Sequence, residues 1–270
     1  QCQKRGMLVN IIDGIIESLG REELLIRLFN TDCTIFAFTI YDTSEGDVIE
    51  IISELKKHKP NITIITGGPY ATIEYKKILT SYKDIDFIII GDADYALPNL
   101  INAIQTREDI SDINNLVFRS LNGEIVVTKR EVVNLDELAI TNRIFAPLVI
   151  EKGFSLGVNT TRGCAHGTCS FCYLKDYQSV ACQPKIRYRS AEKIVSELKD
   201  LIAEFNIEKI TFCDDDFFGT NTDGIKRACE LFKLIIKSYI KLGIYVISRI
   251  RSIQHMVQTG LLPLMKEAGV

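Results

Sequence analysis

The stretch FSLGVNTTRGCAHGTCSFCYL, Phe154–Leu174, runs a strand-like segment straight into three cysteines. Phe154–Gly163 reads as a β-strand, and Cys164, Cys169 and Cys172 follow it in the spacing Cys-x4-Cys-x2-Cys. In parallel α/β architectures the loops at the carboxyl ends of strands carry the chemistry. The sequence downstream says which architecture this is. Ser190–Asn206 has Ser190 as an N-cap and an apolar stripe of Ile194, Leu198, Leu201, Ile202 and Phe205, so it reads as a helix. Ile207–Gly219 then reads as a strand, Thr222–Gly243 as a helix, Gly243–Ser252 as a strand and Ile253–Gly269 as a helix. Three strand–helix units in series predict the first half of a (β/α) barrel over residues 151–270.

Upstream the same rhythm appears. Met7–Asp13 reads as a strand, Arg21–Asn30 as a helix and Cys33–Asp42 as a strand. The next helix carries Val48, Ile51, Ile52 and Leu55 on one face and stops before Pro60. The strand that follows ends at Gly67-Gly68-Pro69, and Asp84–Tyr95 reads as one more strand. Near-continuous apolar strands belong to a parallel sheet covered on both faces. The fold class is therefore α/β, with an N-terminal doubly wound, Rossmann-like domain over residues 1–110. Residues 111–150 read as a linker holding a hairpin around Asn122-Gly123.

The 270 residues carry a formal net charge of −3 with no basic block, so no nucleic-acid partner is expected. No apolar run approaches the roughly 20 residues of a membrane span, so no membrane partner is expected either. Eight cysteines without an export signal point to reduced thiols and a cytoplasmic setting.

Three clustered thiols admit two readings. Structural zinc sites usually take four ligands as two close pairs. Here there is one group of three, and His166 offers a fourth ligand only across an awkward arc. A four-iron cluster prefers four thiolates, and three leave one iron open to an outside ligand. The spacing alone leaves both readings open.

The loop ends in CSFC (Cys169–Cys172) and is followed by KIRYRSAEKIVSEL (Lys185–Leu198) and ITFCDDDFF (Ile210–Phe218). It is preceded by GGPYAT (Gly67–Thr72), DFIIIGDADYALPNL (Asp86–Leu100) and LDEL (Leu135–Leu138). Together these segments resemble the cobalamin-binding branch of the radical S-adenosylmethionine (SAM) superfamily over nearly the whole chain. The loop has one residue more than the usual Cys-x3-Cys-x2-Cys, and GDADY (Gly91–Tyr95) matches the family's Gly-Glu-Gly-Glu segment only loosely. An Asp-x-His-x-x-Gly motif, which supplies a lower axial ligand in some cobalamin domains, does not occur.

The resemblance implies a [4Fe–4S] cluster on Cys164, Cys169 and Cys172, with SAM bound at the open iron and cleaved to a 5′-deoxyadenosyl radical. It implies Phe171 beside the cluster and the adenine. Asp214 and Asp215 would face the amino group of SAM, and Arg249 would clamp its carboxylate. Gly67 and Gly68 would lie against the cobalamin nucleotide tail, with Thr39, Tyr41 and Thr43 lining the same crevice. Strand alternation puts Asp214 and Asp216 on one face and Asp215 on the other. The implied partners are a small-molecule or peptide substrate and a flavodoxin- or ferredoxin-type electron donor. Methyl transfer to an unactivated carbon is the expected reaction. Rearrangement or cyclisation, methylthiolation and peptide modification are its alternatives within the class. A non-catalytic, zinc-stabilised α/β binding protein is the alternative outside it. No residue is assigned as the catalytic group. Against the family pattern, a strand and helix before Gln1 and half a barrel after Val270 are expected to be missing.

Overall fold

The computed structural model describes residues 1–219 and 222–270. The chain divides into two compact units, Gln1–Val133 with Lys175–Gln183, and Asn134–Leu174 with Pro184–Val270.

In the first unit the elements are α1 (Arg21–Phe29), β1 (Ile35–Thr39), α2 (Glu45–His58), β2 (Thr63–Gly67), α3 (Pro69–Ile73), α4 (Tyr75–Ser81), β3 (Phe87–Ile89), α5 (Ala96–Thr106), β4 (Leu116–Arg119) and β5 (Ile125–Val127). They build one sheet in the order β1-β2-β3-β4-β5. The first three strands are parallel, as the apolar runs predict, and β4 and β5 are antiparallel. Alternation explains why both faces are covered. Ile64, Ile88 and Val117 join Ile52 and Leu55 of α2 in one core, while Ile65, Ile89 and Leu116 join Leu100 of α5 in another. Helix α2 has Glu45 and Asp47 in its first turn and Lys56, Lys57 and His58 in its last, the arrangement its macrodipole favours.

Two features differ from the sequence reading. Met7–Asp13 forms no strand: Leu8, Val9 and Ile11 are exposed and pair with nothing in the sheet. The hairpin read as part of a linker is the antiparallel edge of the sheet, where Phe87 pairs with Phe118. A hairpin whose inward residues are apolar gains more from a sheet edge than from solvent.

The unit is completed from far down the chain. Ala181 lies in the core beside Ile78 and Ile90, and the Val180 carbonyl accepts from Arg130 Nε at 3.1 Å. Gly91 sits at φ +75°, and a Cβ there would stand 2.9 Å from both Ala181 Cβ and Gln183 Nε2. Two penalties therefore coincide at Gly91, left-handed backbone and overlap with the returning segment. Gly91→Ala is expected to cost about 1–3 kcal/mol. Urea melts of both proteins check this, and equal midpoints would show that the contact carries no weight.

The second unit contains α6 (Ala146–Glu151), β6 (Leu156–Val158), β7 (Thr161–Gly163), β8 (Ile186–Tyr188), α8 (Ala191–Phe205), β9 (Lys209–Phe212), α9 (Thr222–Lys237), β10 (Gly243–Val246), α10 (Ile250–Gln258) and α11 (Leu262–Glu267). Helix α7 (Leu174–Val180) lies between β7 and β8 in the chain, and from Lys175 on it belongs to the first unit. A parallel sheet has the order β10-β9-β6, and β7 and β8 form a separate antiparallel pair. Ser190 caps α8 as read from sequence, its hydroxyl accepting from the Lys193 amide. Ile194, Leu198 and Leu201 of α8 pack with Phe212, Phe217, Leu231, Phe232 and Ile235 in one core. The single helix expected over Ile253–Gly269 is two, broken at Gly260 (φ +71°) just before Pro263.

Candidate cofactor site

Register aligns the ends of the second sheet. Val158, Phe212 and Val246 pair across β6, β9 and β10, so the residues after them leave the sheet in one row. Those residues are the turn into the cysteine loop, the run Cys213–Asp216, and Ile247–Arg249. Parallel strands without this register would not bring the three segments together.

Asp216 is the carboxylate at the centre of this row. It is fully buried and accepts from Arg249 Nε at 2.8 Å and Ser248 Oγ at 3.4 Å, and the Cys164 thiol faces its Oδ2 at 4.0 Å. Arg249 also donates to the Gly219 carbonyl at 3.3 Å. The guanidinium read as a SAM clamp thus stands at the end of β10, paired to a buried carboxylate. The strand alternation that separated Asp216 from Asp215 is observed, with Asp216 and Asp214 buried and Asp215 exposed.

Asp214 does something different. It is 2% exposed, and its oxygens accept from the Thr160 amide (2.7 Å), the Thr161 amide (2.7 Å) and the Thr160 hydroxyl (2.5 Å). Burial pushes its pKa up, and these three bonds offset only part of that. This capture explains why Phe154–Gly163 is two strands: the chain turns at Asn159–Thr160 and β7 leaves the parallel sheet to pair with β8. Asp215 accepts from the Gly163 amide at 3.2 Å, and desolvation with the neighbouring Asp216 raises its pKa.

Cys164, Cys169 and Cys172 are all reduced and half-buried. The Cys172 amide donates to the Cys169 carbonyl at 3.1 Å, which sets these two on one turn. Among the described residues no three His, Cys, Asp or Glu side chains are gathered tightly enough to hold a metal ion. The donor set itself, three soft thiols within nine residues, fits an iron–sulfur cluster better than a hard cation. His166 is exposed and contacts Thr168 Oγ1 at 3.0 Å. Phe171 is 91% exposed, a large apolar ring standing in solvent.

In the first unit the parallel strands also end in one row, since Thr39 pairs with Gly67. Thr39, Tyr41 and Thr43 are exposed there. Gly68 has φ +93°, and a Cβ on it would meet Thr39 Cγ2 at 2.7 Å and the Ile40 carbonyl at 3.1 Å. The chain itself therefore demands glycine at this position. The Thr66 hydroxyl is buried with no hydrogen-bond partner among the described residues. A mouth of hydroxyls and side-chain-free backbone fits a ligand bearing amide and phosphate groups, as cobalamin does.

Sequence reading missed the charges beneath the cysteine loop. Glu197 is 2% exposed between Arg143 (2.6 Å) and Arg189 (2.7 Å), which also hold the carbonyls of Gly157 and Asn159. Arg227 is buried as well, at a position of α9 where the stripe of Ala228, Leu231 and Ile235 calls for an apolar residue. A charge inside an apolar stripe was the available signal. A separate cavity of 480 Å³ lies over α8, lined by Arg143, Asp200, Glu204 and Phe205 among others, and none of the cysteines reaches it.

Comparison with known proteins bears on the fold. The B12-binding domain family matches residues 1–101. An uncharacterized methyltransferase of Pyrococcus horikoshii is 26% identical over 268 residues, covering 97% of this chain and 55% of its own. The anaerobic magnesium-protoporphyrin IX monomethyl ester cyclase of Rubrivivax gelatinosus is 25% identical, covering 97% of this chain and 47% of its own. The chain thus spans about half the length of the curated relatives it matches. Among solved structures, the cobalamin-dependent SAM radical enzyme OxsB, with aqua-cobalamin and SAM bound, superposes with a TM-score of 0.75 at 18% identity, over 90% of this chain and 34% of that one. The radical SAM methyltransferase TsrM of Kitasatospora setae gives 0.69 at 18% identity, over 87% of this chain and 46% of that one. No helix among the described residues is long and apolar enough to cross a membrane. Residues 1–101 are thus similar to the B12-binding domain family, and the chain has the fold of the cobalamin-dependent radical SAM enzymes OxsB and TsrM over most of its length.

Proposed function

We propose that this chain carries the cofactor-binding part of a cobalamin-dependent radical SAM enzyme, and that its reaction is methyl transfer to an unactivated carbon. The observation that carries this reading is Cys164, the first of three reduced thiols within nine residues, facing the Asp216–Arg249 pair at the end of the second sheet, in a chain whose residues 1–101 match the B12-binding domain family. Cys164, Cys169 and Cys172 are the cluster ligands. When bound, the cluster supplies the electron that splits the sulfonium of SAM, and cobalamin supplies the methyl group. A fourth cysteine would close the iron that SAM must reach, which is why three suffice.

The remaining residues bind and orient. Phe171 offers an exposed flat face to the adenine. Asp215, exposed at the end of β9, meets the amino group of SAM, and Arg249 meets its carboxylate from the end of β10. Asp214 acts indirectly, because Thr160 and Thr161 occupy its oxygens. Thr39, Tyr41, Thr43, Gly67 and Gly68 form the crevice for the cobalamin tail. A flavodoxin- or ferredoxin-type donor delivers the electron, and the acceptor is a small molecule or peptide.

The relatives' names divide between a methyltransferase and a cyclase. Protein reconstituted anaerobically with iron, sulfide and aquacobalamin should retain both iron and cobalt through gel filtration and consume SAM under reduction. Zinc in place of iron would assign the thiols to a structural site instead. An acceptor gaining the mass of a methylene unit separates methyl transfer from cyclisation.

A further inference from the structure

Arg227 is a cation with no carboxylate in direct contact among the described residues, although it is buried. Its Nη2 donates to Thr160 Oγ1 at 2.6 Å and its Nη1 to the Phe217 carbonyl at 3.2 Å. The guanidinium lies 4.7 Å from the Phe217 ring centre and 5.2 Å from that of Tyr188. Burial pulls its pKa down to about 10. The charge that answers it is Asp214, and the Thr160 hydroxyl lies between them, accepting from Arg227 and donating to Asp214.

A buried cation and a buried anion joined by one hydroxyl are costly to assemble and costly to break. Their place in the chain gives that cost a use. Asp214 also holds the amides of Thr160 and Thr161, and Thr161 opens β7, whose last residue, Gly163, precedes Cys164. Tyr188, which faces Arg227, closes β8, the strand that returns from the cysteine loop. One relay therefore touches both strands from which the loop hangs.

We infer that Arg227, Thr160 and Asp214 are the positioning residues of the cysteine loop, fixing β7 and β8 so that the thiols are presented in a set geometry. This rests on the cluster-binding role proposed above. The relay is not a ligand of the metal; it acts on the ligands through the backbone. Groups one layer behind metal ligands commonly change metal affinity about 10–100-fold when removed.

The test uses Thr160→Val, which keeps shape and loses the hydroxyl, beside Thr160→Ser, which keeps the hydroxyl. In iron-free protein, amide hydrogen exchange at Thr160, Thr161 and Gly163 should speed up about tenfold or more in Thr160→Val and stay near wild type in Thr160→Ser. In reconstituted protein well below its melting temperature, a ferrous chelator should extract iron about tenfold faster from Thr160→Val only. If Thr160→Val does not fold, Arg227→Lys, which keeps a donor and loses the fork, takes its place with the same expected direction. Equal exchange and equal iron release in both variants would overturn the inference. Wild-type protein that takes up no iron would overturn the proposed function instead, and the exchange rates would still decide the relay.

Discussion

Cys169→Ala should leave the protein colourless after anaerobic reconstitution, with iron falling from about four atoms per chain to less than one. The middle cysteine shares a turn with Cys172, and the histidine of the loop, His166, contacts Thr168. Two remaining thiolates cannot hold a cubane that needs three or four. Iron and acid-labile sulfide assays check the result, alongside absorbance near 400 nm. Cobalamin retention should be unchanged, because the first unit's crevice contains none of these residues. Iron held at the wild-type level would remove Cys169 from the ligand set. Loss of iron together with loss of cobalamin would mean that the substitution unfolds more than the loop.

Arg249→Met should be the most destabilising single change at the site, at about 3–5 kcal/mol. Asp216 is fully buried, and Arg249 is its one salt-bridge partner among the described residues. Removing the cation leaves a carboxylate whose remaining side-chain partners among the described residues are the Ser248 hydroxyl and the Cys164 thiol, in a region where burying an unpaired charge is costly. Asp216→Asn should cost less, since an amide is far cheaper to bury than a carboxylate and still accepts from Arg249. Urea unfolding of the three proteins tests the order wild type, Asp216→Asn, Arg249→Met. Equal losses in both variants would show that shape rather than charge is what the pair contributes.

Much of this was legible in sequence because parallel sheets and amphipathic helices impose simple periods. The run Phe87–Ile90 is apolar at every position, as a strand covered on both faces requires, and it pairs in parallel with β2. The two-residue period through Asp214–Asp216 set Asp215 apart from the other two, and the structure buries those two. The family pattern favoured Asp214 and Asp215, whereas Asp216 holds Arg249 and faces Cys164. Contacts between distant segments were not legible. Nothing local says that Leu116–Val127 adds to β3, that Ala181 returns beneath Gly91, or that a threonine hydroxyl joins Arg227 to Asp214. Met7–Asp13 has the residues of a strand, but a strand exists only with a partner, and among the described residues β1 pairs with β2 alone.

The central claim is a cluster with one iron left for SAM. The most direct measurement is the electron paramagnetic resonance spectrum of the reduced, reconstituted protein, recorded before and after SAM is added. A spectrum that changes shape and g values on addition is the predicted result, since SAM must enter the coordination of the iron. A spectrum indifferent to SAM, or protein that holds zinc and no iron, would contradict the account.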